Sequence, residues 1–219
     1  MGLNTGPFIV FEGVEGSGKT TQTRTLARKL IYEGIDHIVA NDPGITPLGK
    51  RVRRWLKSDE TASPITELFL FLGARSALTD STLRSALEEG KVVISHRYTY
   101  STLAYQGYGR GLDIEMLKNL NNIATGGLTP DLVILLDLST QQGMERIAYR
   151  PLDRIEQEGI DFHDRVRRGY KSLASESDVD WLIIDGSRPK SQISKIIWEN
   201  VSNLISQKNL VSKNYYRLI

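Results

Sequence analysis

The segment GVEGSGKT, residues 13–20, places glycines, a lysine and a threonine in the spacing G-x-x-x-x-G-K-[ST]. Glycine lets the backbone curl so that its N–H groups point at phosphate oxygens. Lys19 can then reach the β- and γ-phosphates of a nucleotide, and the Thr20 hydroxyl can ligate Mg²⁺. The spacing predicts a loop that binds a nucleoside triphosphate. The residues expected to contact this ligand are Gly13, Val14, Glu15, Gly16, Ser17, Gly18, Lys19 and Thr20.

The flanks of this loop have the order that phosphate binding requires. FIVFE, residues 8–12, is a short apolar run typical of a buried strand, and residues 20–32 suit a helix whose N-terminus adds a positive dipole end. A chance glycine-rich turn is the alternative, which both flanks disfavour. Because the chain has no N-K-x-D motif and no ABC-type signature, the pattern favours a small kinase that phosphorylates a metabolite.

A second cluster lies in FLFLGAR, residues 69–75. On a helix, Phe71 and Arg75 are four residues apart and share a face. A flat ring beside a planar guanidinium could stack on a nucleobase and donate to its edge. A core phenylalanine next to a surface arginine is the alternative that the spacing alone leaves open.

A third cluster begins at Arg97, directly after the predicted strand 92–95, which we expect to neighbour the first strand. Ligands of open α/β sheets bind at the carboxyl ends of the strands, so Arg97 could clamp a phosphate there. Polar pairs four residues apart in the next helix could line a pocket wall: Ser101 with Tyr105, and Thr102 with Gln106.

Arginines recur every four residues at Arg146, Arg150 and Arg154. Pro151 prevents Arg150 from lying inside a helix, so a helix should run into a mobile, arginine-bearing segment. We expect a lid at about residues 144–158. A solvated, salt-bridged helix is the alternative, because acidic residues are interleaved with the arginines.

Strands and helices alternate along the whole chain, which predicts an α/β fold with a parallel sheet and helices on both faces. No repeat or linker divides residues 1–219, so one domain is expected; the role of the polar tail 208–219 stays open. The predicted strands are 8–12, 35–40, 92–95, 131–138 and 181–185. The predicted helices are 20–32, 48–57, 64–89, 99–106, 113–125, 139–149, 159–177 and 190–207.

Composition limits the possible functions of the 219-residue chain. A net charge of +2 does not indicate a general binder of nucleic acid or membrane surfaces. The absence of cysteine excludes disulfides and thiolate chemistry. No apolar run approaches the ~20 residues of a membrane helix, and MGLNTG lacks the features of a signal peptide. These features predict a cytoplasmic protein.

Taken together, the motifs resemble the thymidylate kinase (dTMP kinase) family over most of the chain. The segments that carry the resemblance include HRYTYSTLAYQGYGRG, NNIATGGLTPDLVILLDL and LDRIEQEGIDFHDRVRRGY. The resemblance implies a P-loop NTPase fold with a five-stranded parallel sheet and a lid, similar to nucleoside monophosphate kinases. It also implies phosphorylation of dTMP to dTDP with ATP and Mg²⁺, in dTTP synthesis, by a homodimer.

The resemblance assigns roles to individual residues. Phe71 would stack on thymine and Arg75 would bond its edge, with Thr102 and Gln106 also contacting the base. Tyr105 would crowd the sugar near its 2′ position. The remaining acceptor residues would be Arg53 and Arg97 at the monophosphate, Asp42 and Pro43 in an acidic-proline turn, and Ser101 in the pocket wall. Because the phosphate loop contains no arginine, the chain resembles the bacterial type, and the catalytic residues would be Lys19, Arg97, Arg150 and Arg154.

Four positions depart from the family pattern: Asn41, Ile45, Ala74 and His96. His96 stands where relatives usually carry an aspartate that influences Mg²⁺, and imidazole is a poor partner for this hard cation. The metal site would then rely on Thr20, phosphate oxygens and water. The carboxylates nearby in the pattern are Glu12, Glu15 and Asp137, of which Asp137 looks like a Walker B acid and Glu15 looks placed to face the acceptor sugar.

The sequence leaves two alternative functions open. One is another (deoxy)nucleoside monophosphate kinase, which the thymine-like pattern of Phe71, Arg75, Thr102 and Gln106 disfavours. The other is a nucleotide-binding regulator with weakened catalysis, for which the substitution at His96 is the sole support.

Overall fold

A parallel sheet of five strands forms the centre of the described chain, residues 5–58 and 60–208 of a computed structural model. The strands are β1 (Phe8–Glu12), β2 (His37–Asn41), β3 (Val92–His96), β4 (Leu132–Asp137) and β5 (Asp180–Asp185). Their order across the sheet is β2-β3-β1-β4-β5, and every neighbouring pair is parallel. The α/β prediction is thereby confirmed, as is the expected pairing of the first and third strands.

Helices cover both faces of the sheet. They are α1 (Lys19–Tyr32), α2 (Pro47–Trp55), α3 (Pro64–Leu78), α4 (Arg84–Glu88), α5 (Thr99–Thr102), α6 (Ile114–Thr125), α7 (Thr140–Ile147), α8 (Ile160–Glu176) and α9 (Lys190–Gln207). A π-helical turn, Thr79–Leu83, joins α3 to α4, and a second π-helical segment, Leu103–Gly109, continues α5. Expectations about the tail beyond residue 208 lie outside the described residues.

The strand β1 is central because its side chains are apolar on both faces. Ile9 and Phe11 pack into a core with α1 and α9, whereas Phe8 and Val10 pack into a second core with the α3–α4 region. A strand buried on both faces holds its carboxyl end in a fixed place. The phosphate-binding segment that follows β1 therefore starts from a rigid support.

Most element boundaries agree with the sequence pattern, and the differences have physical reasons. Ser63 caps α3 by accepting a hydrogen bond from the Thr66 backbone N–H at 3.2 Å, as its position before Pro64 predicts. The strand β2 begins at His37 rather than at residue 35, because Ile35 still bonds the end of α1 through the Leu30 carbonyl. Within the described residues, no helix is long and apolar enough to cross a membrane.

The helix α7 contacts the phosphate loop backbone to backbone. A Cβ atom on Gly143 would lie 2.3 Å from the Glu15 carbonyl oxygen, and one on Gly16 would lie 2.1 Å from the Gly143 carbonyl oxygen. Gly16 also has a φ of +68°, which favours glycine. The two glycines therefore let α7 set the position of the loop.

Replacing Gly143 with alanine should displace the phosphate loop, because the new methyl group meets backbone atoms that cannot rotate away. We expect Gly143→Ala to lose ~1–3 kcal/mol of unfolding free energy in urea denaturation and to weaken ATP binding. Gly159→Ala is the matched control, since a Cβ there meets nothing within 4 Å, and its change should stay below ~1 kcal/mol. Equal effects of the two substitutions would contradict this account of the contact.

Candidate active site

A cleft of about 1230 Å³ opens beside the carboxyl ends of the strands. The phosphate loop and the loop between β5 and α9 line one part of it, and the turn after β2 lines another. The segment between α7 and α8, residues 148–158, contributes much of the remaining wall and is called the lid segment below. The predicted lid thus divides into the end of α7 and this irregular segment.

The phosphate loop wraps around the ammonium group of Lys19. Lys19 Nζ donates to the carbonyl oxygens of Gly13 at 2.9 Å and Val14 at 2.8 Å, and it lies 3.4 Å from Ser17 Oγ. Burial, together with the positive charge of Arg97, lowers the pKa of Lys19 to about 7. The Lys19 amine is therefore partly neutral near pH 7. A bound anion would favour its protonated form.

The N-terminus of α1 faces the same space. Gly18 occupies the position before the helix with φ 100°, and no side chain caps the first turn. Uncapped N–H groups and the helix dipole make such an end a binding place for phosphate. Residues 15–20 line the cleft, whereas Gly13 and Val14 contribute their carbonyl groups from behind it, with the Val14 side chain in a hydrophobic core.

Arg97 projects into the cleft from the turn after β3. Its φ of 71° is unusual for a residue with a side chain, and its guanidinium bonds Glu15 Oε1 at 2.6 Å and Tyr105 OH at 2.8 Å. Ser101 Oγ and Tyr170 OH each accept from the other terminal nitrogen at 3.1 Å. These four contacts fix the orientation of the Arg97 guanidinium. A guanidinium that is already oriented can bind an anion at a defined position.

Glu15 is the anion that faces this arginine. Burial opposes its ionisation, but the charges of Arg97 and Lys19 and a hydrogen bond from Tyr105 outweigh burial and lower the pKa of Glu15 to about 2. Glu15 is therefore a carboxylate across the physiological range. It orients Arg97 and Tyr105 on the side of the cleft where the acceptor was expected.

Glu12 has no exposed surface, although its pattern suggested a possible metal ligand. Its carboxylate accepts from the backbone N–H groups of Tyr98 at 2.9 Å and Ser101 at 3.2 Å, from Ser101 Oγ at 2.6 Å and from Tyr170 OH at 2.7 Å. Burial raises the pKa of Glu12, and Arg97 and these hydrogen bonds oppose that rise. The residue supports the turn that carries Arg97 and does not face the cleft.

Arg75 lies at the other end of the cleft in a nearly closed hydrogen-bond network. Its Nε donates to Asp42 Oδ2 at 2.5 Å, and one terminal nitrogen donates to Thr102 Oγ1 at 2.6 Å and to Asn121 Oδ1 at 2.5 Å. Arg75 is 3% exposed, yet it lines the cleft. The other terminal nitrogen has no protein acceptor among the described residues, so it is the donor left for a ligand.

The remaining residues predicted for the acceptor lie around Arg75. Phe71 and Arg75 share a face of α3, as their spacing predicts, and Phe71 packs against Val52 and Leu56. The second members of the two predicted polar pairs lie in the π-helical segment rather than in an α-helix, but both pairs still face the cleft. The predicted acceptor residues that line the cleft are Asp42, Pro43, Arg53, Phe71, Arg75, Arg97, Ser101, Thr102, Tyr105 and Gln106.

The three arginines near the lid have different surroundings. Arg146 donates to the Gly16 carbonyl at 3.3 Å and the Gly186 carbonyl at 3.1 Å, and Arg150 forms a bidentate pair with Glu156 at 2.8 and 2.6 Å. Both line the cleft. Arg154, which was expected to be catalytic, is not among the residues that line it and instead stacks 3.8 Å from the centre of the Trp55 ring.

The expected metal site contains a histidine next to Thr20. Thr20 Oγ1 lies 3.3 Å from His96 Nε2, and burial with the charges of Lys19 and Arg97 lowers the pKa of His96 to about 3. His96 is therefore neutral near pH 7. In residues 5–58 and 60–208, no group of three or more histidine or carboxylate side chains could by itself hold a metal ion. A divalent ion here would depend on Thr20 and on oxygens of the nucleotide and water.

Asp137 differs from the expected Walker B acid. Its carboxylate is bound by Arg167 at 2.6 and 3.0 Å and by Lys171 at 2.9 Å, and it does not line the cleft. The position at the end of an apolar strand suggested the role, but basic side chains of α8 bind the carboxylate.

The sequence analysis did not predict Asn121 and Tyr170 as site residues, although they lie in the motif segments NNIATGG and DRVRRGY, because no spacing links them to the cleft.

The parallel five-stranded sheet, the phosphate loop after β1 and the cleft shared by Lys19 and Arg97 are typical of P-loop nucleoside monophosphate kinases. Comparison with known proteins specifies the family. The family model for thymidylate kinase matches residues 11–197, so the chain belongs to the thymidylate kinase family.

Curated relatives named thymidylate kinase match nearly the whole chain. One from Dehalococcoides mccartyi is 44% identical over 204 residues, covering 92% of this chain and 98% of the relative. One from Thermomicrobium roseum is 43% identical, covering 91% and 96%. One from Desulfovibrio desulfuricans is 45% identical, covering 85% and 90%.

The lowered pKa of Lys19 predicts that nucleotide binding is linked to proton uptake. Without ligand the side chain is mostly neutral at about pH 8, whereas bound phosphate favours the charged form, so ATP binding there should take up about one proton. Affinity should fall as pH rises above about 7, and uptake should vanish near pH 6, where Lys19 is already charged. Isothermal titration calorimetry in buffers of different ionisation enthalpy measures the uptake.

The matched control is Lys19→Arg, which stays charged at every pH used. Its binding should lack the proton uptake of the wild type at about pH 8. If the variant and the wild type took up the same number of protons, another group would be responsible.

Proposed function

We infer that this protein phosphorylates dTMP to dTDP with ATP as the co-substrate, a step in dTTP synthesis. Family membership supports this inference, and one structural observation carries it at the residue level. A single cleft contains the phosphate loop around Lys19 and, across Arg97, a pocket built on Phe71 and Arg75. A donor phosphate and an acceptor nucleotide can therefore bind side by side.

The acceptor needs little chemical activation. Its nucleophile is a phosphate oxygen, and a phosphate monoester with a second pKa of about 6 is mostly a dianion at neutral pH. No general base is then required, and the protein must align two anions and compensate their charge. We propose that Lys19 acts on the donor, that Arg97 and Arg53 hold the acceptor phosphate, and that Arg150 acts at the group in transfer.

The pairing of Arg97 with Glu15 prepares this arrangement. The charges of Arg97 and Glu15 compensate each other, and the Tyr105 hydroxyl forms a hydrogen bond with each side chain. A phosphate at Arg97 would add acceptors to a group that is already oriented, so less side-chain entropy is lost on binding. Tyr105 would also occupy the space near the 2′ position of the acceptor sugar and so favour deoxyribose.

Base selection follows from the hydrogen-bond state of Arg75. Asp42, Thr102 and Asn121 fix its guanidinium, and its free terminal nitrogen can only donate. Thymine presents a carbonyl oxygen at position 4, whereas cytosine presents an amino group that would face this donor. We propose that Phe71 stacks on the thymine ring, with Thr102 and Gln106 contacting its edge.

Mg²⁺ is part of the proposal, with Thr20 as its protein ligand. The ion, when bound, would compensate phosphate charge, and neutral His96 would interact with the Thr20 hydroxyl where the family pattern predicts a carboxylate. We also propose that residues 1–219 form one domain with a lid at about 144–158. The proposed working form is a cytoplasmic homodimer, in keeping with the resemblance to the family.

An acceptor series tests the proposed function. A coupled assay of ADP release with ATP and dTMP, dUMP, dCMP or AMP should give the highest kcat/KM with dTMP. Discrimination against dCMP should reach at least about 10²-fold, since Arg75 would be left facing a second donor. Measurable ATP binding without turnover of dTMP would refute the proposal and favour a regulator, while a preference for another acceptor would identify a different kinase.

Replacing His96 with aspartate tests the metal proposal. His96→Asp should lower the Mg²⁺ concentration needed for half-maximal activity, because a carboxylate next to Thr20 attracts the cation or its bound water. His37→Asp, which makes the same change at a histidine outside the cleft, should not shift the titration. An unchanged Mg²⁺ titration for His96→Asp would mean that position 96 does not act on the metal.

A further inference from the structure

Glu67 is a buried carboxylate that the proposed chemistry does not use. It lies on α3, four residues before Phe71 and eight before Arg75, and therefore on the same helix face. The residue is only 2% exposed. A buried carboxylate is costly unless its charge is compensated, so its partners indicate why it is there.

The partners of Glu67 come from two sides. Gln106 Nε2 donates to its Oε1 at 3.0 Å, and Arg110 donates to Oε1 at 2.7 Å and to Oε2 at 3.2 Å. Arg154 lies 3.6 Å from Oε2. One carboxylate thus contacts a wall residue of the acceptor pocket and an arginine of the lid segment.

The contact with Gln106 fixes the orientation of an amide in the cleft. An ionised carboxylate can only accept hydrogen bonds, so Gln106 must turn its amide nitrogen toward Glu67. Its amide oxygen is then the acceptor that Gln106 can offer to a nucleobase. Without the carboxylate, the amide could rotate and present either group.

The contacts of the lid segment surround the same carboxylate. The Arg154 backbone N–H donates to the Leu56 carbonyl at 3.2 Å, its side chain donates to the Glu60 carbonyl, and its guanidinium stacks on Trp55. Arg110, which is bound to Glu67, also donates to Glu158 Oε1 at 2.8 Å. The middle and the end of the lid segment are therefore both attached at or next to Glu67.

We propose that Glu67 is a positioning residue that anchors the lid segment to α2 and α3 and at the same time fixes Gln106 in the acceptor pocket. Arg154 is then the anchor of the lid, and Arg150, four residues away and lining the cleft, is the arginine that the anchor presents. Removing the charge of Glu67 would leave Arg154 without its carboxylate and would leave Arg110 paired with Glu158 alone, which loosens both attachments. The kinetic part of this inference rests on the proposed function, whereas the attachment of the lid does not.

The test compares Glu67→Gln and Arg154→Ala with Glu89→Gln, which makes the same charge change at an exposed residue paired with Lys91. Hydrogen–deuterium exchange of the unliganded proteins should be about ten-fold faster in the lid segment for the first two variants. Exchange in α9 should be unchanged, and Glu89→Gln should behave as the wild type. Because the readout needs no substrate, it remains valid if the protein does not act on dTMP.

Steady-state kinetics separates the two attachments. Glu67→Gln should raise KM for dTMP and lower kcat, because both Gln106 and the lid lose their support, whereas Arg154→Ala should lower kcat and leave KM for dTMP unchanged. Unchanged exchange of the lid segment in Glu67→Gln would overturn the inference. A lower kcat in Arg154→Ala with unchanged exchange would also overturn it, by identifying Arg154 as catalytic.

Thermal unfolding of each variant shows whether a change in exchange comes from a loss of global stability. If Glu67→Gln is too unstable to compare, Arg154→Ala decides the matter, since this side chain is partly exposed and leaves the Glu67–Arg110 pair intact. Faster exchange confined to the lid segment in that variant would support the anchor. Exchange equal to that of the wild type would refute it.

Discussion

The buried carboxylate of Glu12 connects the phosphate loop to the acceptor side of the cleft. It ends β1, one residue before the loop begins, and it accepts four hydrogen bonds from Tyr98, Ser101 and Tyr170. Two of these donors are backbone N–H groups, that of Tyr98 in the turn after β3 and that of Ser101 in α5. Since that turn holds Arg97 at a positive φ, the proposed position of the acceptor phosphate depends on a carboxylate that does not line the cleft.

Carboxylates also orient three arginine side chains that line the cleft. Arg97 faces Glu15, Arg75 faces Asp42, and Arg150 faces Glu156. Such pairs add little net stability when buried, because desolvation offsets the attraction, but they hold a planar guanidinium in one orientation. Lys19 is held differently, by carbonyl oxygens, and burial lowers its pKa. Hydrogen bonds within the protein therefore fix the orientation of several charged groups that line the cleft.

Much of the fold was predictable because its signals are local. The apolar run 8–12, the glycines of the phosphate loop and the caps around Ser63 and Pro64 each act over a few residues, and the structure confirms the elements that they predict. Local patterns predict less about pairs of residues far apart in the chain. Asp137 has the position of a Walker B acid, yet Arg167 and Lys171 of α8 bind it, and only the packing of α8 beside β4 brings them there.

The sequence by itself determined the chemistry that is possible: a loop for a nucleoside triphosphate, an aromatic–arginine pair for a base, and arginines around a proline-broken helix end. It also determined the family, since several motifs occur together in one order. The tertiary structure alone decided which arginines line the cleft and which one stacks on Trp55. It also revealed Asn121 and Glu67 as hydrogen-bond partners of Arg75 and Gln106, two of the predicted acceptor residues. The physical reason is that a side chain's role depends on charges and hydrogen-bond partners supplied by distant segments, which meet only when the chain is folded.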